Sequence, residues 1–328
     1  MAKDRVIKST VIIPNYNGIA YIKNCLDSLR KDREGNAFDV IVVDNHSTDG
    51  SKELVAKDYP DVKLIVFEEN TGFCKAVNAG IEAAATEYVI LLNNDTTVEK
   101  GFVLALETAV ENNPKAFSVG AKMVDMKNPA VIDDAGDFYC ALGWAFARGT
   151  GKPVENYNKV KEVFSACAGA AIYKKSILNE IGLFDELHFA YLEDLDIGYR
   201  AKIYGYRNYF TPDAVVLHAG SASSGSRHNA FKVDLSSKNS VYVIYKNMPF
   251  LQQLINLPLL LPGYLIKWLF FLRKGLGKNY AKGVWAGLKR NFGKEAREHK
   301  VKFKWAHLYH YVCIQLELWK NVFLRICY

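Results

Sequence analysis

Tyr88-Val-Ile-Leu-Leu-Asn-Asn-Asp95-Thr-Thr97 decides the reading of this chain. Its first five residues are apolar or aromatic and read as a strand buried on both faces. The run then breaks into Asn93, Asn94 and Asp95. A polar cluster at the carboxyl end of a buried strand is where open α/β sheets take up ligands. Asp95 offers a hard anionic oxygen, a donor suited to Mg2+ or Mn2+ on a diphosphate. Alone, the same residues also read as an Asx turn closing a strand. The flanking segments decide between the two.

Three upstream segments repeat the pattern. Thr10-Val-Ile-Ile-Pro14 runs into the turn Asn15-Tyr-Asn-Gly18. Asp39-Val-Ile-Val-Val-Asp44 runs into Asn45-His-Ser-Thr-Asp-Gly50, and Lys63-Leu-Ile-Val-Phe67 into the loop from Glu68 to Gly72. Helical spacing follows each strand: Ile22, Leu26 and Leu29 in the first interval, a short helix from Ser51, an Ala-rich helix from Phe73 to Ala85. Four alternations predict βαβ units on a parallel sheet. One edge of that sheet gathers Asn15, Asn17, Asp44, Asn45, Asn70 and Asn93 to Asp95. A nucleotide-binding edge explains this more economically than four unrelated turns.

Downstream, Gly101 to Asn113 predicts a helix, and residues 114–165 predict loops and short strands that shape a pocket. Ser165-Ala-Cys-Ala-Gly-Ala-Ala171 reads equally as tight packing or as close approach of backbone to a ligand. Lys174 to Ile181 predicts a helix, ended by Gly182. In Glu193-Asp-Leu-Asp-Ile-Gly-Tyr-Arg200, helical spacing puts Glu193, Asp196 and Arg200 on one face and Asp194 elsewhere, at the helix start. Asn208 to Leu217 predicts a strand pair around Pro212. It ends at His218, which could complete a metal site. Ala219 to Arg227, rich in Gly and Ser, is a candidate mobile lid.

Net charge is +7 over 328 residues, but unevenly placed. From Lys246 to Tyr328 there are fifteen Lys or Arg against three Glu, leaving residues 1–245 net negative. Trp268, Trp285, Trp305 and Trp319 fall in the same basic tail. The combination predicts an anionic membrane surface as partner and no nucleic acid. Phe250 to Leu272 is apolar but interrupted by Gln252, Gln253, Asn256, Pro258, Pro262 and Lys267, which favours a re-entrant or interfacial segment over a span. Six cysteines without C-x-x-C spacing, and no signal peptide before the first strand, predict reduced thiols in the cytoplasm.

Taken together, Val11-Ile-Ile-Pro-Asn-Tyr-Asn-Gly18, Val42-Val-Asp-Asn-His-Ser-Thr-Asp-Gly-Ser51, Asn70-Thr-Gly-Phe73, Leu91-Leu-Asn-Asn-Asp95 and Glu193-Asp-Leu-Asp-Ile-Gly-Tyr-Arg200 with His218 resemble, in order, the family 2 glycosyltransferases of inverting GT-A type. The branch resembled is that of bacterial rhamnosyltransferases and galactofuranosyltransferases. The resemblance implies a GT-A α/β domain over residues 1–247, a mostly parallel sheet flanked by helices. Residues 248–328 then form a basic, Trp-rich helical tail on the inner face of the cell membrane.

The resemblance also implies roles. Asp44 would bond a pyrimidine base. Pro14, Asn15, Asn17, Asn70, Gly72, Asn78 and Asn94 would contact the nucleotide sugar. Asp95, His218 and Asn93 would hold Mg2+ or Mn2+, with Asn93 replacing the first Asp of a D-x-D motif and so removing one charge. Asp194 would be the catalytic base, with Glu193, Asp196 and Arg200 as acceptor-binding or supporting residues. The implied donor is dTDP-rhamnose or a UDP-sugar, and the acceptor a glycan or polyprenyl-linked sugar. The chemistry agrees, because glycosyl transfer needs a stabilised diphosphate leaving group and a base for the acceptor hydroxyl. A nicotinamide dehydrogenase would need a G-x-G-x-x-G turn that Pro14-Asn-Tyr-Asn-Gly18 does not supply. A non-catalytic nucleotide-sugar-binding or membrane adaptor protein is the remaining alternative.

Overall fold

The computed structural model of this chain describes residues 7–34, 36–220 and 229–327, the last by its backbone alone. Of the candidate lid, only Ala219 and Gly220 belong to the described residues. The chain begins with strand–helix units: β1 (Ser9–Asn15), α1 (Ile22–Arg33), β2 (Asp39–Asp44), α2 (Ser51–Asp58), β3 (Lys63–Val66), α3 (Phe73–Ala83) and β4 (Tyr88–Leu92). A mixed section follows with β5 (Thr96–Val98), α4 (Phe102–Glu111), β6 (Ala116–Asp125), β7 (Ile132–Asp134), the hairpin of β8 (Asp137–Cys140) and β9 (Trp144–Ala147), β10 (Lys161–Val163), β11 (Ala170–Lys174), α5 (Lys175–Ile181), α6 (Glu193–Ile203) and β12 (Arg207–His218). The remainder is helical: α7 (Ala230–Asn247), α8 (Phe250–Arg273), α9 (Gly277–Asn291), α10 (Lys294–Glu298) and α11 (Leu308–Cys327).

The main sheet runs β10-β12-β6-β11-β4-β1-β2-β3, with β5 on β12 and β7 on β6. Its first half is parallel: β1 pairs with β2 on one side and β4 on the other, and β3 continues beyond β2. The chain therefore reverses its direction of winding at β1, and the crevice between β1 and β4 opens at their carboxyl ends. In the second half β11 runs antiparallel between β4 and β6, so the sheet as a whole is mixed. Side chains alternate between two cores: Val11, Ile13, Ile90 and Leu92 face α1 and α4, while Ile12, Val89 and Leu91 face α3 and α5. Gly80 lets α3 lie close to the sheet, since a Cβ there would meet Ile12 Cγ2 at 2.3 Å.

Three elements differ from expectation. The segment 114–165 contains a long central strand, β6, hidden in the sequence by its mixed flanks. Pro212 does not divide a strand pair; β12 runs through it, and a register shift between Phe210 and Val215 absorbs the missing donor. Pro258 and Pro262 do not break the apolar segment either, for both lie within the continuous 24-residue α8.

α8 is long and apolar enough to cross a membrane, with a mean hydropathy of 1.6 and 17% of its most apolar window buried. Its buried residues, Gln252, Asn256, Leu260 and Gly263, form one stripe at helical spacing. That stripe rests on the rest of the protein: Trp144 Nε1 donates to Gly263 O at 2.9 Å, and Asn256 exchanges two hydrogen bonds with Gln315 of α11.

The expected division at residue 247 consequently does not separate two cores. One cluster crosses it, joining Tyr139, Phe164, Leu195 and Tyr199 to Leu260, Tyr311, Ile314 and Leu318. Asn321 Nδ2 donates to Tyr139 O at 2.8 Å, Leu318 O accepts from Ala141 N at 3.1 Å, and Lys202 pairs with Glu317 at 3.0 Å.

Candidate active site

A cavity of about 660 Å³ opens over the carboxyl ends of β1 and β4. Asn93, Asn94 and Asp95 enter it from the end of β4, and His218 from the end of β12. Pairing of His218 with Thr96 in the β5–β12 ladder brings these two distant segments together. His218 Nε2 lies 3.2 Å from Asp95 Oδ1, while Nδ1 is held by Asp133 Oδ2 at 2.7 Å. Burial would keep this imidazole neutral, but the carboxylates of Asp133 and Asp95 outweigh it and raise the group to about 10.

The donor set fits a divalent metal on an observation of its own. His218 Nε2 is buried and makes no aligned hydrogen bond, so it is aimed at Asp95 without being satisfied by it. A carboxylate, an imidazole oriented by a second carboxylate, which would bind only as the metal displaces its Nε2 proton, and the Asn93 amide oxygen are donors that Mn2+ or Mg2+ accepts. Two other clusters suit such an ion less well. Asp134, Asp137 and Cys167 bring ligand atoms within 4.8 Å of one another, but a thiol is a soft donor. Asp185, His188 and Asp196 form a similar group. Its cation position is already taken by Lys246 Nζ, 2.7 Å from Asp185 and 2.8 Å from Asp196.

The first turn of α6 places Glu193 and Asp194 in the wall of the same cavity. Asp194 Oδ1 accepts from Leu195 N at 2.7 Å. Burial raises the Asp194 carboxyl above its usual range despite the hydrogen bonds it accepts. The segment before α6 is held in an unusual conformation. Phe189, Tyr191 and Leu192 all have positive φ, at 61°, 69° and 68°. Asn239 Nδ2 pins it by donating to the carbonyls of His188, Ala190 and Tyr191 at 2.8 to 2.9 Å.

Asp196 and Arg200 do not reach the cavity. Asp196 is fully buried, paired with Arg200 at 3.0 Å and Lys246 at 2.8 Å, and bonded by Asn247 Nδ2 at 2.7 Å. Arg200 donates onward to the carbonyls of Ile181, Gly182 and Leu183 at 2.7 Å. These two residues anchor α6 from behind.

Glu193 gives a test of the electrostatics. Burial, with Asp194 adding, raises its carboxyl from 4.5 to about 8. The folded chain thus holds this proton more tightly than the unfolded chain, so the stability it contributes is full below the unfolded value and declines as pH rises towards 8. Glu193→Gln should therefore raise the melting temperature at about pH 8.5 more than at about pH 5. Equal shifts at both pH values would show that Glu193 ionises as an ordinary glutamate.

Of the residues expected to meet the nucleotide sugar, Pro14, Asn15, Asn70, Gly72 and Asn94 line the cavity. Asp44, Asn17 and Asn78 do not. Asp44 is wholly buried, with Oδ1 accepting from Asn15 Nδ2 at 2.9 Å and Oδ2 from Ser47 N at 2.9 Å. Asn15 in turn accepts from Asn94 Nδ2 at 2.8 Å, so one hydrogen-bonded chain locks the ends of β2, β1 and β4. The next residue, Asn45, faces the cavity instead, braced by Asn70 Oδ1 at 3.0 Å and Gly72 O at 3.1 Å. Asn17 Oδ1 accepts from Thr48 N at 2.9 Å in an exposed turn. Asn78 clamps α3 to Phe184, through Phe184 O at 2.8 Å and Phe184 N at 3.0 Å.

Asp44→Ala should accordingly act on folding rather than on the ligand. It leaves Ser47 N without its buried acceptor and Asn15 Nδ2 with only the Ser47 and Ser51 hydroxyls, at about 1–3 kcal/mol, measurable by urea denaturation. Unchanged stability with weakened nucleotide binding would return Asp44 to the ligand. Asp133, Asp137, Tyr16 and Lys232 are site residues that sequence reasoning missed, whereas Asn45 was placed on the nucleotide-binding edge without a role of its own. The only signal for Asp133 was its pairing with Asp134 before a Gly turn, 85 positions from His218.

Residues 10–182 match the model of the family described as glycosyl transferase family 2. An N-acetylglucosaminyl-diphospho-decaprenol L-rhamnosyltransferase of Mycobacterium tuberculosis is 27% identical over 239 residues, covering 66% of this chain and 77% of its own. GalNAc-T7, crystallised with UDP, GalNAc and Mn2+, superposes with a TM-score of 0.60 at 17% identity, over 74% of this chain and 48% of that one. A mannosyltransferase of Pyrobaculum calidifontis, in complex with GDP-Man and Mn2+, superposes with a TM-score of 0.53 at 19% identity, over 95% of this chain and 88% of its own. Both likenesses show the GT-A fold. With the family match running from β1 to the end of α5, more than half of the chain, this protein belongs to glycosyl transferase family 2 and is a glycosyltransferase.

Proposed function

We propose that the chain moves a sugar, with inversion, from a nucleoside diphosphate to a glycan or lipid-linked acceptor in bacterial surface-polysaccharide synthesis. The observation that carries this reading is that Asp95, His218 and Asp194 line one cavity. Asn45, Asn70 and Gly72 would hold the nucleotide, and Asp95, His218 and Asn93 would hold Mn2+ or Mg2+. The metal's contribution would be charge stabilisation at the departing diphosphate. Lys232, on α7 at the cavity wall, adds a positive charge. Asp194 would take the proton of the acceptor hydroxyl, and its raised carboxyl makes it a stronger base than an exposed aspartate.

The donor is read as dTDP-rhamnose or a UDP-sugar. The acceptor is read as a polyprenyl-diphosphate sugar, in keeping with the name of the mycobacterial relative, an N-acetylglucosaminyl-diphospho-decaprenol L-rhamnosyltransferase. The protein is read as peripheral on the inner membrane face. A stripe along α8 is committed to the body, and the opposite face exposes Phe250, Leu254, Leu261 and Leu265.

Asp95→Ala tests the metal assignment. It should abolish Mn2+ binding, read by electron paramagnetic resonance, and lower nucleoside diphosphate release by about 10²–10³ or more. Unaltered Mn2+ binding would remove Asp95 from the metal site.

A further inference from the structure

The described residues enclose a second cavity, of about 630 Å³, between the β8–β9 hairpin and the C-terminal half of α8. Four cations line it, Arg148, Lys152, Lys267 and Arg325, and no carboxylate does. Aromatic faces hold Lys267 and Arg325. Lys267 Nζ lies 5.8 Å from the centre of the Trp144 ring, and Arg325 Cζ 5.5 Å from that of Phe146. Among the described residues neither Lys267 nor Arg325 has an ion-pair partner. Burial pulls the Lys267 ammonium down to about 8, and Arg325 adds to the effect, so an anion beside it would be stabilising.

The cavity is connected at both ends. Towards the site of chemistry, Ala145 lines both cavities. Lys267 and Phe271 also face a smaller space of about 340 Å³, whose other walls, Tyr191, Leu192 and Lys232, belong to the catalytic cavity as well. Towards the outside, Ile266 and Phe270 pass from the cavity wall onto the exposed face of α8, at 49% and 45% exposure. A positively charged aromatic chamber thus lies between a sugar-transfer site and an apolar surface. Its complement is an anionic link that carries a sugar on one side and a hydrocarbon on the other.

We propose that this chamber binds the diphosphate of a lipid-linked acceptor, whose hydrocarbon leaves along α8 while its sugar reaches Asp194 through the corridor. This rests on the lipid-linked reading of the acceptor, but not on the donor assignment. The test uses the full chain and farnesyl diphosphate as probe, with EDTA present so that metal-dependent diphosphate binding at the donor site is suppressed.

Titration calorimetry should show binding to the wild type and a loss of about 10- to 100-fold in the Lys267→Ala/Arg325→Ala double variant. Lys267→Arg should keep most of the affinity. UDP binding with Mn2+ should be unchanged in all three proteins, which shows the donor site intact. If the double variant does not fold, Lys152→Glu at the exposed rim should weaken the same titration. Absent binding to the wild type, equal binding by the charge variants, or equal uptake of phosphatidylglycerol vesicles would overturn the assignment. Failure of the donor reading would appear separately, as absent UDP binding in a protein that still takes up farnesyl diphosphate.

Discussion

Asp194→Asn should lower sugar transfer by about 10²–10⁴ or more, the usual effect of removing a general base. Nucleotide-sugar binding should stay near its original value, because Asp194 stands on α6 and not at the strand ends that would hold the donor. The substitution keeps the side-chain oxygen that accepts from Leu195 N, so the first turn of α6 retains its geometry. In the wild type, the raised carboxyl predicts that transfer falls off on the acid side at a higher pH than an exposed aspartate would give. Product formation across pH and donor titration measure both halves. Near-normal transfer in Asp194→Asn together with an inactive Glu193→Gln would move the base to Glu193, the other cavity-facing carboxylate of the turn. Asp196→Asn is not an equivalent control, since it leaves Lys246 and Arg200 with less buried negative charge and should fail through stability.

A chain ending at Asn247 should not fold. It would strip Leu260, Tyr311, Ile314 and Leu318 from a cluster whose other half is Tyr139, Phe164 and Tyr199. Each large buried side chain removed typically costs about 2–5 kcal/mol, so four exceed or match the whole stability of an ordinary domain, about 5–15 kcal/mol. Circular dichroism and urea denaturation of the truncated chain, beside the full chain, provide the measurement. A cooperative transition with UDP binding intact would establish residues 248–328 as a detachable module after all.

The contrast between these two regions shows what the sequence could carry. β1, β2, β3 and β4 were legible because each is a compact apolar run with its own polar terminus, and alternation is a local property. Which residue at a strand end faces the ligand was not. Asp44 and Asn45 are adjacent, and a one-residue difference reverses the direction of a side chain. Only the register of β1 against β2 sets Asp44 against Asn15 and leaves Asn45 to the cavity. Asp133 was illegible for a related reason, since its contact with His218 is made by pairing of β7 and β12 to opposite edges of β6. The prolines of α8 misled in the other direction. They mark missing donors, but the helix continues because packing along its buried stripe outweighs the lost hydrogen bonds.

The strained segment ahead of α6 has a consequence for how this enzyme can be improved. Non-glycine residues in the left-handed region cost on the order of 1–3 kcal/mol each, and Phe189, Tyr191 and Leu192 are all of this kind. A sequence selected for heat resistance alone would place Gly or Asn at such positions. Those replacements would also slacken the segment that aims Asp194, and Asn239 would then be pinning a backbone with several resting shapes. Thermal hardiness and catalytic aim are therefore opposed within four consecutive residues, and engineering for one should proceed anywhere in the chain but there.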